Sequence, residues 1–137
     1  MDIESILIIC AIIFAVSLLA YLKYTKGPKA FRARKCQGKK WKLAFPDKNN
    51  DEIRLFLECL VEGMALSSKT RLKFSPNDKT IDIYKSLYNG KVPLGDNLEC
   101  ETFVEALSEC FEKSIEEISE FWSEDVTLGE LYAKVSA

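Results

Sequence analysis

The hydrophobic and polar positions divide the chain into an apolar start, a basic middle and a long amphipathic region. Residues 5–22 contain no charged side chain. In a helix that rises about 1.5 Å per residue they would span about 27 Å, close to the hydrocarbon thickness of a bilayer. Asp2 and Glu4 precede this run, where a signal peptide would carry basic residues. We therefore expect residues 1–22 to be an uncleaved transmembrane anchor, with a buried core helix as the alternative.

Residues 49–137 show the spacing of amphipathic helices. Apolar residues recur at every third or fourth position from Ile53 to Met64, and Asn49 is a suitable N-terminal cap for this first helix. Residues 69–80 are predicted as a loop with Ser-Pro-Asn-Asp turn chemistry. A shorter helix follows, and its apolar side consists of Ile81, Tyr84, Leu87 and Tyr88.

A third helix is predicted from Asn97 to about Lys113, with Asp96 as its cap. Steps of about 100° per residue gather its apolar residues into one arc and its acidic residues on the opposite side. The arc contains Leu98, Phe103, Ala106, Leu107, Cys110 and Phe111. The acidic stripe contains Glu101, Glu105, Glu109 and Glu112.

Two further helical segments are predicted near the C-terminal end. Ile115, Ile118, Phe121 and Trp122 have helical spacing, and Thr127 and Glu130 have the spacing of a capping box at the start of a last helix. No alternating pattern of useful length indicates a strand. The predicted fold class is therefore all-α, with an N-terminal transmembrane helix and a small helical bundle.

Charge is distributed unevenly along the chain. Residues 1–22 carry two acids, residues 23–48 carry ten bases against Asp47, and residues 49–137 carry eighteen acids against nine bases, which together give the net charge of −2. We therefore predict a transmembrane anchor (1–22), a basic juxtamembrane linker (23–48) and an acidic helical-bundle domain (49–137). Because Lys and Arg are retained on the cytoplasmic side, this order predicts a single-pass protein of the cytoplasmic (inner) membrane. The N-terminus would lie outside and the C-terminal domain in the cytoplasm.

The basic segment has two candidate partners. Phe31, Trp41 and Phe45 are interleaved with its bases, a pattern found in segments that contact anionic lipid headgroups or nucleic acid. The excess of acids in residues 49–137 opposes a nucleic-acid partner, so none is expected. Residues 23–42 are a candidate for contact with anionic lipid headgroups, and the alternative is that their charges only set the topology.

The composition excludes several kinds of chemistry. The chain has no histidine, which removes Ser-His and Cys-His catalysis and histidine-ligated metals. Its five cysteines are scattered without a Cys-x-x-Cys pair, so neither a disulfide framework nor a thiolate zinc site is expected. The acidic clusters lack the spacing of a calcium loop. We expect no enzymatic activity, no catalytic residue, no metal and no cofactor.

Residues 94–111, with the sequence LGDNLECETFVEALSECF, resemble the start of the second helix of acyl carrier proteins. The resemblance extends over about residues 50–137 and includes bacterial proteins grouped with acyl-carrier-like domains. In that family a serine after the aspartate carries phosphopantetheine. Asn97 stands at that position here, and its amide has no hydroxyl to esterify. The resemblance thus implies a degenerate acyl-carrier-like domain without the prosthetic group. The matching positions are Asp96, Leu98, Glu99, Leu107, Glu109 and Phe111.

Together these features predict a single-pass, membrane-tethered, non-enzymatic protein-interaction module. The resemblance implies that the acidic second helix docks a basic protein partner. The expected partner-binding residues are Asp96, Glu99, Glu101, Glu105 and Glu109. The alternatives are a solvated helix face without a partner, a true carrier in lipid or secondary-metabolite assembly with a non-standard attachment site, and a structural subunit of a membrane complex.

Overall fold

The computed structural model describes residues 2–26, 29–88, 90 and 98–137, and in these residues the fold is entirely helical. The only extended pairing among them is an isolated antiparallel bridge between Lys79 and Thr127. The prediction of an all-α fold is confirmed. The helices in chain order are α1 (Ile3–Lys26), α2 (Lys29–Arg32), α3 (Gly38–Ala44), α4 (Asn50–Gly63), a 3-10 helix (Ser68–Lys73), α5 (Thr80–Leu87), α6 (Leu98–Phe111), α7 (Ile115–Glu120) and α8 (Leu128–Val135).

Helix α1 is apolar and lies outside the core. Its segment Ile3–Leu22 is long and apolar enough to cross a membrane, and none of that segment is buried within the molecule. A core helix of a soluble bundle would be covered by its neighbours. The structure therefore agrees with an N-terminal apolar helix that could span a membrane. The identity of the membrane and the orientation of the helix stay predictions.

The core of the head, which we define as residues 29–137, is built mainly by α4 and α6. Phe56, Leu57 and Leu60 of α4 are fully buried, as are Phe103 and Leu107 of α6. The last helix closes the core with the four residues that its periodicity predicts to point inward: Leu128, Leu131, Tyr132 and Val135. In α6 the buried part of the predicted arc is narrower than expected, since Leu98 and Cys110 are exposed.

The caps that the sequence predicts at two helix starts are present. The Asn49 side chain accepts a hydrogen bond from the backbone N–H of Asp51 at 2.9 Å. Thr127 and Glu130 form a reciprocal capping box at the start of α8. These side chains satisfy backbone donors that have no partner within the helix, so they fix where α4 and α8 begin.

The connection between α4 and α5 differs from the predicted loop. Ser68–Lys73 form a 3-10 helix. Asp78, in the predicted Ser-Pro-Asn-Asp turn, accepts a hydrogen bond from the Ser75 backbone N–H at 2.7 Å and hydrogen bonds from Arg34 Nη1 at 2.9 Å and 2.7 Å to its two carboxylate oxygens. The cap position of α5 is occupied by Lys79, whose side chain makes no capping bond.

The basic segment also differs from the expectation of a linker. Phe31 and Trp41 are 5% and 1% exposed and belong to the core. The indole N–H of Trp41 donates to the Phe74 carbonyl at 2.9 Å, and the Gln37 backbone N–H donates to the Leu72 carbonyl at 2.7 Å. Residues 31–45 therefore pack on the bundle. Their aromatic side chains, part of the pattern that made this segment a candidate for lipid contact, are used for packing because large rings gain most from burial.

Candidate functional site

A solvent-open groove of about 970 Å³ lies between α5, α6 and α7. Apolar side chains from all three elements, and from the turn after α7, form its floor. They are Ile81, Tyr84, Val104, Ile115 and Trp122.

The groove forms because one face of α6 packs into the core while the adjacent face lines the groove. Phe103 and Leu107 are fully buried, whereas Cys100 and Val104 are half-buried at the groove. Trp122 closes one side through an edge-on contact with the Phe103 ring, with the centroids 6.0 Å apart. The floor is therefore a continuation of the core that the helices leave uncovered.

Acidic residues dominate the rim of the groove. Five carboxylates and two lysines line it, a net charge of −3. Lys79 donates to Asp125 at 3.0 Å, and the hydrogen bond to that carboxylate raises the pKa of Lys79. One of the two cations is thus already paired. The acids are Asp82 of α5, Glu101 and Glu105 of α6, and Glu124 and Asp125 after α7.

The structure brings only some of the predicted partner-binding residues together. Glu101 and Glu105 lie on the rim and are exposed. Glu109 is exposed on α6 but does not line the groove. Glu99 is half-buried and accepts a hydrogen bond from the Tyr88 hydroxyl, so this carboxylate has a structural partner. Asp96 and Asn97 lie outside the described residues.

Three acids on the rim are not among the partner-binding residues predicted from the sequence. Asp82, Glu124 and Asp125 belong to segments that are more than thirty residues apart in the chain. Nothing in their local spacing indicates that they converge, because the convergence follows from the packing of α7 on α6 and from the backbone hydrogen bond of Thr80 to Val126, which holds the start of α5 beside the residues after α7. The one local signal is the density of acids at residues 116–125, a pattern that by spacing alone suggests a cation site but lacks the order of a calcium loop.

The Cys100 thiol is the candidate nucleophile in the groove. Burial, with the neighbouring Glu99 and Glu101 carboxylates, raises the pKa of the Cys100 thiol to about 11. Because the thiolate is the reactive form of cysteine, this thiol is a poor nucleophile at neutral pH.

Two serines near the resemblance region have their hydroxyls engaged locally. The Ser86 hydroxyl donates to the Ile83 carbonyl at 2.5 Å, and the Ser108 hydroxyl donates to the Lys113 carbonyl at 2.6 Å.

Within the described ranges, no group of three or more His, Cys, Asp or Glu residues is arranged to hold a metal ion.

The fold and the groove define a small helical bundle with an acidic, apolar-floored cleft, preceded by a helix that could span a membrane. Comparison of the chain with protein-family models, curated proteins and solved structures finds no match. The resemblance to acyl carrier proteins therefore stays a prediction.

Proposed function

We propose that the chain is a single-pass, membrane-tethered, non-enzymatic protein-interaction module whose acidic groove binds a basic segment of a protein partner. The observation that carries the proposal is the convergence of five carboxylates from three parts of the chain around an uncovered apolar floor. Repulsion among carboxylates costs stability in the free protein, and a cationic partner would relieve that repulsion.

The chemistry of the groove specifies the kind of segment it would accept. The apolar floor suits one or two aliphatic or aromatic side chains, which gain free energy when water is excluded around them. The rim suits Lys or Arg side chains on either side of that anchor. The expected ligand is therefore an amphipathic basic segment, with apolar residues on one face and cations at its edges.

The resemblance to acyl carrier proteins is part of the same proposal and rests on the sequence of residues 94–111. Among the described residues α4, α6, α7 and α8 follow in chain order, with a 3-10 helix and α5 between α4 and α6 as a departure from the family. Asn97 in place of the attachment serine supports an interaction role over a carrier role. The engaged hydroxyls of Ser86 and Ser108 oppose the use of either serine as a substitute.

The test compares two charge reversals of equal size on the full-length chain in detergent micelles. The groove pair is Glu101→Lys with Glu105→Lys, and the control pair is Glu109→Lys with Glu116→Lys, which lie outside the groove. The probe is a fluorescently labelled amphipathic peptide of leucine and lysine, and binding is followed by anisotropy. We expect the groove pair to weaken binding by about tenfold or more and the control pair by less than about threefold.

Circular dichroism should show equal helicity for both pairs, because all four side chains are exposed. If both pairs weaken peptide binding equally, the attraction comes from net charge and the groove has no special role. If neither pair changes it, the peptide binds elsewhere and the proposal fails.

A further inference from the structure

Helix α3 presents an unusual surface opposite its buried face. Lys39, Lys40 and Lys42 are exposed, and Leu43 leaves 82% of its surface exposed. That exposure is comparable to the 78% of Ile3 in the apolar helix α1. A single exposed leucine is ordinary on a soluble surface, but beside these three lysines it gives α3 the combination of apolar and basic side chains that favours a membrane interface.

The orientation of this surface is fixed by Trp41. Its indole is buried, donates to the Phe74 carbonyl at 2.9 Å and meets the Tyr132 ring edge-on at 5.9 Å. Because Trp41 holds α3 against the core, the lysines and Leu43 are kept on the outside. In the described part of the molecule, none of these three lysines forms an ion pair.

A small basic cavity adjoins α3. It has a volume of about 250 Å³ and is lined by Lys39 and Lys42 of α3 and by Arg54 of α4, without any acidic residue. Arg54 has only a distant ion pair with Asp51, at 3.6 Å, and both side chains are largely exposed. Three cations around an uncharged floor suit a phosphate group, since ammonium and guanidinium groups donate several charge-assisted hydrogen bonds to its oxygens.

The chain also keeps this surface close to the end of α1. Twelve peptide units separate Lys26 from Gly38, so an extended chain would place α3 at most about 43 Å from the end of α1. A connection of this length lets the basic surface reach the bilayer, where it meets the negative potential of anionic lipids, which falls off within about 8–10 Å of the membrane.

From these observations we infer that α3, with Arg54, is a membrane-contact surface that binds anionic phospholipid headgroups of the bilayer that α1 enters. Lys39, Lys42 and Arg54 would hold a headgroup phosphate, Lys40 would add to the attraction, and Leu43 would insert among the acyl chains. A nucleic acid suits this surface poorly, because the stacking rings Phe31 and Trp41 are buried. The inference goes beyond the proposed function, since the acidic groove takes no part in it.

The test uses the full-length chain in vesicles of phosphatidylcholine, alone or mixed with phosphatidylglycerol. Leu43→p-benzoylphenylalanine places a photocrosslinker on the surface, and Ile115→p-benzoylphenylalanine places one on an apolar residue among acids that is 45% exposed. Mass spectrometry counts lipid adducts after illumination. We expect adducts at position 43 to rise about fivefold or more when phosphatidylglycerol is present, and those at position 115 to stay unchanged.

A second comparison isolates the lysines. Lys39→Gln, Lys40→Gln and Lys42→Gln together should return the yield at position 43 to its phosphatidylcholine value. The control triple, Lys69→Gln, Lys113→Gln and Lys134→Gln, removes the same charge elsewhere and should leave the yield unchanged. Any one of four results would overturn the inference. They are equal yields in both vesicle types, an equal loss with both triples, absence of lipid adducts at position 43, and crosslinks to a second protein chain instead of lipid. The groove test is independent, because its peptide binds without vesicles.

Discussion

Gly63 lies where the backbone of α4 meets the backbone of α6. A Cβ atom built at this position would be 2.4 Å from Phe103 Cα and 2.7 Å from both Phe103 N and Phe103 Cβ. Non-bonded carbon atoms pack at about 3.5–4.0 Å, so no side chain fits there without moving a helix. From the sequence alone Gly63 appears only as a weakness in the last turn of the first helix, because the helix against which it packs is forty residues away.

Gly63→Ala should lower the free energy of unfolding of the head by about 1–3 kcal/mol, the usual cost of overpacking a core. The fluorescence of Trp41 and Trp122 during urea unfolding in detergent micelles would measure it, because both indoles lie in the head.

Gly38→Ala is the control for this substitution. Its added Cβ would meet only Cys36 Sγ, at the ordinary distance of 3.5 Å, and Gly38 is the first residue of α3. Alanine should be neutral there or stabilise by up to about 1 kcal/mol. Equal destabilisation by the two substitutions would contradict the close-packing explanation.

The rim of the groove shows how far single residues could be assigned from the sequence. The exposure of Glu101, Glu105 and Glu109 follows from helical periodicity alone and is confirmed. The hydrogen bond from the Tyr88 hydroxyl to Glu99 could not be predicted, because the two residues are separated by a connector whose sequence has no regular pattern. Which acids share a groove depends on packing between helices, and periodicity within one helix does not contain that information.

At the scale of elements, helix α3 is the largest departure from the sequence-based expectation. Helices α4, α6, α7 and α8 are predicted because each combines a periodic apolar face with a polar one. Helix α3 has a single buried residue, Trp41, among lysines, so its pattern resembles a solvated linker. One indole nevertheless contacts Phe45, Phe56 and Tyr132. A single large ring can thus attach an element that has no amphipathic pattern.

Trp41→Ala should therefore destabilise the head by about 3–5 kcal/mol, as expected for removing a buried aromatic ring. The unfolding midpoint followed by the fluorescence of Trp122 gives the measurement. Lys40→Ala, one residue away and exposed, should change stability by less than about 0.5 kcal/mol. A loss below about 1 kcal/mol for Trp41→Ala would mean that α3 is not part of the folded unit.

At the scale of the whole molecule, charge is separated between two surfaces of the head. The basic surface is formed by α3 and the cavity beside it, and the acidic surface is the groove between α5, α6 and α7. The groove would take a basic protein segment, and the α3 surface would take anionic lipid. This separation would let both partners bind at the same time, each at the surface of opposite charge.

The orientation in the membrane is testable at the same scale. Nine basic residues follow residues 5–22 within twenty positions, so residues after α1 should lie in the cytoplasm. A fluorescent protein that matures only in the cytoplasm, fused after Ala137, should be bright. Alkaline phosphatase, which is active only outside, should be inactive at the same position. The reverse pattern, with both fusions expressed equally, would contradict the predicted topology.

The ring contact between Trp41 and Tyr132 makes closure of the head's core depend on the emergence of α8 during synthesis. These residues are 91 positions apart, and both are fully buried. Because synthesis proceeds from the N-terminal side, α8 must emerge before the rings around Trp41 can close on Tyr132, whereas α1 emerges earlier. Until then Phe56 lacks the cover of the Tyr132 ring, and uncovered apolar surface favours aggregation. Early insertion of α1 into a bilayer would keep each nascent chain apart from its neighbours until α8 has emerged.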